Sequence, residues 1–390
     1  MKIVADENIP FAKEAFGRLG QVVTVKGRTI NRDLVRDADA LIVRSVTRVN
    51  ADLLESTGVR FVATATIGFD HVDVEYLRGR GIGFSSAPGS NANSVAEYVV
   101  AALLVLAKRG LHGQDASATF RLEGKTIGVV GVGNVGNRVV RKADALGMKV
   151  LQNDPPLQRQ TNDPRFLPLE ALLDADILTF HVPLTRTGPD ATYHMIDDGL
   201  LGRLKPGAIL INTARGAVAD SAAILRAAES HRLGGLILDV FEHEPRINPA
   251  SVERADIATP HIAGYSLDGK VNGTATVYRA ACEFFGQPVE WDSARAMPQP
   301  PHPQLIARTD CDDEDALRDL VLTVYDIEAD DQRLRQIIEL SPSKRAVYFD
   351  HLRKTYPVRR EFQNTCVEVS KDKPSFRLKI ASLGFPPIAD

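Results

Sequence analysis

Thr126-Ile127-Gly128-Val129-Val130-Gly131-Val132-Gly133-Asn134-Val135-Gly136 is the stretch that decides the fold. Its first five residues predict a buried strand, and helical spacing continues from Asn134 to Leu146. Between them lies G-x-G-x-x-G, a weak signal by itself because glycine-rich turns are common. With a strand before and a helix after, it reads as a dinucleotide-binding turn. Gly131 permits the tight turn, and Gly133 lets the backbone approach a pyrophosphate. Gly136 lets helix and strand pack closely, while the helix start at Asn134 and Val135 offers N–H donors to the anion.

The next predicted strand ends near Asp154. An acid there accepts hydrogen bonds from ribose hydroxyls and repels a 2′-phosphate, so NAD is expected rather than NADP. Arg159 would soften that preference if its side chain folded back.

Outward from this motif, short β-branched runs alternate with helical patterns, the signature of parallel α/β sheets. Strands are expected at 2–5, 40–43, 60–63 and 82–84, then at 126–130, 149–152, 177–181, 208–212, 236–239 and 257–258. Ser94 and Glu97 have the spacing of a capping box opening an apolar helix that ends near Lys108. A second helix is expected over 271–285. Prolines 288, 298, 300, 301 and 303 mark 288–303 as a linker, and 304–390 reads as a separate piece of mixed α and β structure.

Bulk properties narrow the function classes. A net charge of -3 argues against broad binding to nucleic acid or to an anionic membrane. The apolar run at 95–107 is too short to span a bilayer and contains Glu97. Three scattered cysteines, Cys282, Cys311 and Cys366, lack metal-ligand spacing and suit a reducing compartment. With Asp6 and Glu7 preceding any possible signal core, a cytoplasmic protein is expected. No metal is expected, since neither H-E-x-x-H nor a paired CxxC occurs, and no G-x-S-x-G suggests a serine hydrolase.

Three motifs at predicted strand ends can carry chemistry, because ligands bind at that edge of a parallel sheet. In Asn212-Thr213-Ala214-Arg215-Gly216, the planar fork of Arg215 can grip a carboxylate. Asp239-Val240-Phe241-Glu242-His243-Glu244-Pro245 offers acids around His243, and Thr259-Pro260-His261-Ile262-Ala263-Gly264 offers His261. Glu244 would orient His261 and favour its imidazolium. Spacing alone leaves His243 as the rival.

Taken in order, these motifs together with His181-Val182-Pro183-Leu184-Thr185 resemble the D-isomer-specific 2-hydroxyacid dehydrogenases. Further matches extend the resemblance, toward a branch acting on a phosphorylated hydroxy acid, over nearly the whole chain. They are the opening Lys2-Ile3-Val4-Ala5-Asp6-Glu7-Asn8, Val43-Arg44-Ser45-Val46-Thr47, Ala63-Thr64-Ala65-Thr66-Ile67-Gly68 and the tail around Arg359-Arg360-Glu361-Phe362.

The resemblance implies a Rossmann-type doubly wound NAD lobe at 95–260 and a discontinuous, flavodoxin-like substrate lobe at 1–94 and 261–287. It also implies a small C-terminal α+β domain at 304–390 that makes a homodimer. By family position Arg215, Glu244 and His261 are catalytic. Asp154, Val182, Asp239 and Gly264 line the NAD site with the glycine-rich turn, and Ser45, Thr66 and Tyr265 touch a small phosphorylated hydroxy acid. Arg44, joined by Arg359 or Arg360 from a partner, is the candidate for holding the phosphate. The rivals are another dehydrogenase of the family, such as 3-phosphoglycerate dehydrogenase, and a non-catalytic NAD-sensing module.

Overall fold

The computed structural model describes residues 1–112 and 120–388. The chain divides into two compact units, Met1–Ala92 with Tyr265–Gln299, and Asn93–Gly264 with Pro300–Asp390.

The first unit is a five-stranded parallel sheet in the order β2-β1-β3-β4-β5. Its strands are β1 (Lys2–Asp6), β2 (Gln21–Val25), β3 (Ala40–Val43), β4 (Phe61–Thr64) and β5 (Gly83–Ser85). This order is flavodoxin-like. The half-buried strand β2, whose pattern is mostly polar-flanked, is absent from the expectations drawn from periodicity.

The sheet is buried on both faces, which is why its strands read as continuous apolar runs rather than alternating ones. Ile3, Ala5, Ile42, Phe61 and Ala63 face one core. Val4, Leu41, Val43 and Val62 face the other, with Val35, Leu54 and Leu77. The helix Leu267–Phe285 closes the first core with Val277, Tyr278, Ala281 and Cys282. Strands at 2–64 thus need a cover supplied two hundred residues later in the sequence, and this makes the unit discontinuous.

The second unit holds six parallel strands in the order β11-β10-β9-β8-β6-β7. They are β6 (Thr126–Val130), β7 (Lys149–Asn153), β8 (Ile177–Phe180), β9 (Ala208–Asn212), β10 (Leu233–Leu238) and β11 (Ile257–Ala258). From β6 the chain steps outward to β7, then returns to β8 on the other side. The strand order reverses there, and the crevice beyond the carboxyl ends of β6 and β8 is the place where such sheets bind ligands.

The long apolar helix spans Ala92–Arg109 and is buried from Val95 to Ala107. It begins two residues before Ser94, so the expected capping box does not form. Both side chains bond instead to the tail: Ser94 Oγ donates to Glu361 Oε1 at 2.7 Å, and Glu97 Oε1 accepts the Phe362 N–H at 3.0 Å. The signal was local, but more distant partners outcompeted it.

After Pro300 the chain adds a two-stranded parallel sheet, β12 (Gln304–Ile306) with β13 (Cys366–Glu368), and the helices Asp313–Val324, Ile327–Arg335, Pro342–Lys354 and Pro374–Leu383. Leu334, Ile337 and Phe349 of this segment join the core of the second unit. No helix among the described residues is long and apolar enough to cross a membrane.

Candidate active site

The glycine-rich turn has the shape its sequence demands. Gly131 sits at φ +85°, and a Cβ there would lie 2.9 Å from the His181 carbonyl and from Val182 Cγ1. At Gly136 a Cβ would lie 1.9 Å from the Gly131 oxygen, so only glycine lets the helix Asn134–Ala145 start so close to β6. Gly133 differs, for a Cβ there meets nothing within 4 Å. The protein itself leaves that position open, and the space above an exposed helix start with free N–H groups suits a pyrophosphate. NAD therefore fits the turn on geometry as well as on pattern.

Asp154 follows β7 and holds the turn from beside it. One oxygen accepts the Val132 N–H at 2.8 Å, and the other accepts the Leu157 N–H at 3.0 Å, capping the helix Pro155–Thr161. Each carboxylate oxygen keeps a second lone-pair direction for a ribose hydroxyl. Arg159 does not fold back on Asp154; it pairs with Asp190.

His181, at the end of β8, has its ring nitrogens between the hydroxyls of Thr179 (3.0 Å) and Thr213 (3.1 Å). Although part of the residue stays accessible, desolvation pushes the imidazole down to about 3, so it is neutral. The Thr213 contact ties the end of β8 to the loop that bears Arg215.

That loop meets the next motif by direct backbone contact. A Cβ on Gly216 would lie 1.8 Å from the Phe241 carbonyl oxygen, so glycine is what allows the Arg215 loop to lie against residues 241–242. Half-buried Arg215 donates to the Ala214 carbonyl at 2.8 Å. Phe241 in turn donates its N–H to Glu244 Oε1 at 2.8 Å.

Glu244 Oε2 lies 2.7 Å from His261 Nδ1. Burial pushes the Glu244 carboxyl up, but His261 and the Phe241 N–H together outweigh it and leave the group below its ordinary range. An ionised carboxylate only accepts, so Nδ1 carries the hydrogen and Nε2 is the nitrogen left to exchange a proton. His261 itself stands at φ 57°, a left-handed conformation uncommon outside glycine. His243, its rival from spacing, is exposed at the surface.

Asp239 organises the loop around His261. It is 1% exposed, and its carboxylate accepts from Thr259 Oγ1 (2.6 Å) and from the N–H groups of Ile262 (2.8 Å) and Ala263 (3.0 Å). Its own carbonyl accepts the His261 N–H at 2.7 Å. Burial pushes it up to about 6 despite those donors and the nearby His261. Gly264, half-buried, closes the loop.

In the first unit, Ser45 is exposed just beyond β3, and Thr66, beyond β4, donates to the Gly68 carbonyl at 2.9 Å. Thr64 Oγ1 links Thr66 Oγ1 (2.7 Å) to His71 Nε2 (3.1 Å), a support that no motif announced. Tyr265 is flanked by two cations. Arg44 Nη2 donates to its hydroxyl at 3.2 Å, and Lys270 Nζ lies 4.4 Å from its ring centre.

Sequence reasoning missed Lys270. A signal was available, because a lysine near the start of the helix Leu267–Phe285 opposes the helix dipole and calls for another reason to be there. Arg359 and Arg360, offered as phosphate holders from a partner, are instead both 5% exposed within their own chain. Arg359 donates to the Ser94 and Ala263 carbonyls, and Arg360 to Asn364 Oδ1. Among the described residues no group of three or more His, Cys, Asp or Glu is placed to hold a metal ion.

Comparison with known proteins agrees with this arrangement. Residues 101–263 match the family model of the D-isomer specific 2-hydroxyacid dehydrogenase NAD binding domain, and residues 296–384 match a domain of unknown function. Erythronate-4-phosphate dehydrogenase of Yersinia enterocolitica is 46% identical over 386 residues, 99% of each chain. The D-lactate dehydrogenase of Aquifex aeolicus, solved with NAD and lactic acid, superposes with a TM-score of 0.62 at 28% identity, over 73% of this chain and 96% of that one. The 3-phosphoglycerate dehydrogenase of Entamoeba histolytica, solved with NAD, gives 0.61 at 26% identity, over 73% and 95%.

Proposed function

The chain belongs to the erythronate-4-phosphate dehydrogenases, a branch of the D-isomer specific 2-hydroxyacid dehydrogenase family, and from that premise we propose that it oxidises 4-phospho-D-erythronate to 2-oxo-3-hydroxy-4-phosphobutanoate with NAD, on the route to pyridoxal 5'-phosphate.

The observation that carries the reaction type is the Glu244–His261 pair, with Nδ1 committed to the carboxylate and Nε2 left as a base. Bound at the 131–136 turn and Asp154, NAD supplies the acceptor for the C2 hydride. Every other part of the chemistry falls to side chains of the chain. Arg215 grips the C1 carboxylate and then the developing 2-oxo group through its fork. His261 Nε2 takes the proton of the C2 hydroxyl, a role worth typically ~10²–10⁴-fold for a well-placed base. Glu244 steadies the imidazolium that results.

Ser45, Thr66 and Tyr265 touch the substrate. Its phosphate is held by Arg44 with Lys270, whose positive charges meet on one tyrosine. The segment after Pro303 pairs two copies into a homodimer in the cytoplasm. In support of pairing, Ile306, Val347, Val358 and Leu378 of that segment are large apolar side chains left more than half exposed.

The reaction is tested by following NADH absorbance with purified protein and 4-phospho-D-erythronate or 3-phospho-D-glycerate. Turnover with the four-carbon acid at the higher kcat/KM is the expected result. Preference for the three-carbon acid would reassign the substrate. NAD binding without turnover of either acid would point to a sensing module.

A further inference from the structure

The loop that carries His261 is gripped at both ends by the C-terminal segment. At its entry, Asp331 Oδ1 accepts the Ala258 N–H at 2.8 Å. Arg335 holds Asp331 Oδ2 at 2.8 Å and donates to the Val252 and Ala255 carbonyls just before β11. At the exit, Arg359 Nη2 donates to the Ala263 carbonyl at 2.6 Å and to the Ser94 carbonyl at 3.2 Å. Ala263 is thus held through both flanking peptide groups, by Asp239 through its N–H and by Arg359 through its C=O.

His261 lies two residues before Ala263, at a left-handed φ that persists only where the surroundings over-determine it. Asp331, Asp239 and Arg359 are the groups that do so. Arg359 is an unusual choice for mere filling. Its guanidinium lies 4.1 Å from the Tyr325 ring centre, and its Nε and Nη1 have no hydrogen-bond partner among the described residues. Burying a cation with spare donors is costly, and an apolar side chain of the same length would fill the space at less cost. What the apolar chain could not do is hold two carbonyls of the catalytic loop and the helix beside it.

We propose that Arg359 and Asp331 are positioning residues for His261, and that the C-terminal segment thereby serves the reaction directly, beyond any part it has in pairing subunits. The proposal rests on His261 as the proton acceptor of the reaction given above.

The test uses the full-length protein. Wild-type turnover of 4-phospho-D-erythronate is measured first, because its absence counts against the assigned reaction and not against the grip on the loop. Arg359→Met keeps length and removes the donors. Its kcat should fall by tenfold to about a hundredfold, as a small misplacement of a reacting group does. Its Kd for NAD, set by the 131–136 turn, should stay within about twofold. Arg359→Lys, which keeps a charged donor, should recover a substantial part of kcat. An Arg359→Met protein that binds NAD normally and keeps wild-type kcat overturns the proposal. Equal losses in the Met and Lys variants also overturn it, since they point to packing alone. If Arg359→Met does not fold, Asp331→Ala decides: lowered kcat at unchanged NAD affinity supports the proposal, and unchanged kcat overturns it.

Discussion

Glu244 Oε2 and His261 Nδ1 are 2.7 Å apart, although seventeen positions and two strand ends separate the residues along the chain. That contact selects the tautomer of the imidazole and its orientation. His261→Asn should therefore keep NAD affinity and lose turnover by ~10²–10⁴-fold. Stopped-flow and steady-state kinetics with an NAD titration check both halves. Near-normal turnover would move the role to His243. Glu244→Gln should cost less, since it can still accept from Nδ1–H but no longer offsets the imidazolium charge.

The glycines of the two loops should separate binding from folding. Gly133→Ala places its methyl in space the protein leaves empty, so Tm should hardly change while Kd for NAD rises by about tenfold or more. Gly216→Ala collides with the Phe241 carbonyl and should cost roughly 1–3 kcal/mol of stability, with a loss of kcat as Glu244 is displaced. Calorimetry and NAD titration on the two variants distinguish the cases. Unfolding of Gly133→Ala would contradict this reading of the turn.

Arg44→Ala and Lys270→Ala should each raise KM for the phosphorylated acid by about tenfold, consistent with loss of one charge-assisted contact, and leave Kd for NAD unchanged. An unphosphorylated erythronate should be insensitive to both substitutions. If KM for the phosphorylated acid does not move in either variant, the phosphate lies elsewhere.

Asp154→Ala should narrow the preference for NAD over NADP, because it removes the charge that repels a 2′-phosphate. It also removes the cap on Leu157 and the bond to Val132, so a loss of about 1 kcal/mol in stability should accompany it. The ratio of kcat/KM for the two cofactors is the measurement. An unaltered ratio would leave Asp154 a purely structural cap.

Glu97 predicts a pH dependence of stability. Burial pushes its carboxyl up to about 8, with Lys142 pulling against that and Glu361 adding to it. Between the ordinary carboxylate range and about 8 the folded chain keeps a proton that the unfolded chain gives up, so this group's contribution to stability is lost as pH rises through that window. Glu97→Gln keeps an acceptor for the Phe362 N–H and removes the titration. Its Tm relative to wild type should therefore increase between about pH 5 and about pH 9, on the order of a few degrees. A constant difference across that range would mean Glu97 stays ionised in the fold.

By itself the sequence determined what depends on neighbours along the chain. The 126–136 stretch specified strand, turn and helix, because apolar spacing and the steric needs of Gly131 and Gly136 are local. Arg215, Glu244 and His261 could be placed at strand ends for the same reason. Tertiary structure alone decided which side chains meet. Ser94 and Glu97 carry a sound capping signal, yet both bond to a tail more than 260 positions away. His243 and His261 are equal by spacing, and only the fold puts Glu244 beside one and solvent beside the other. Lys270 and Arg44 became one basic cluster only when Tyr265 came between them. Periodicity is a property of adjacent residues, whereas hydrogen bonds, desolvation and charge act through space, and space is what the fold supplies.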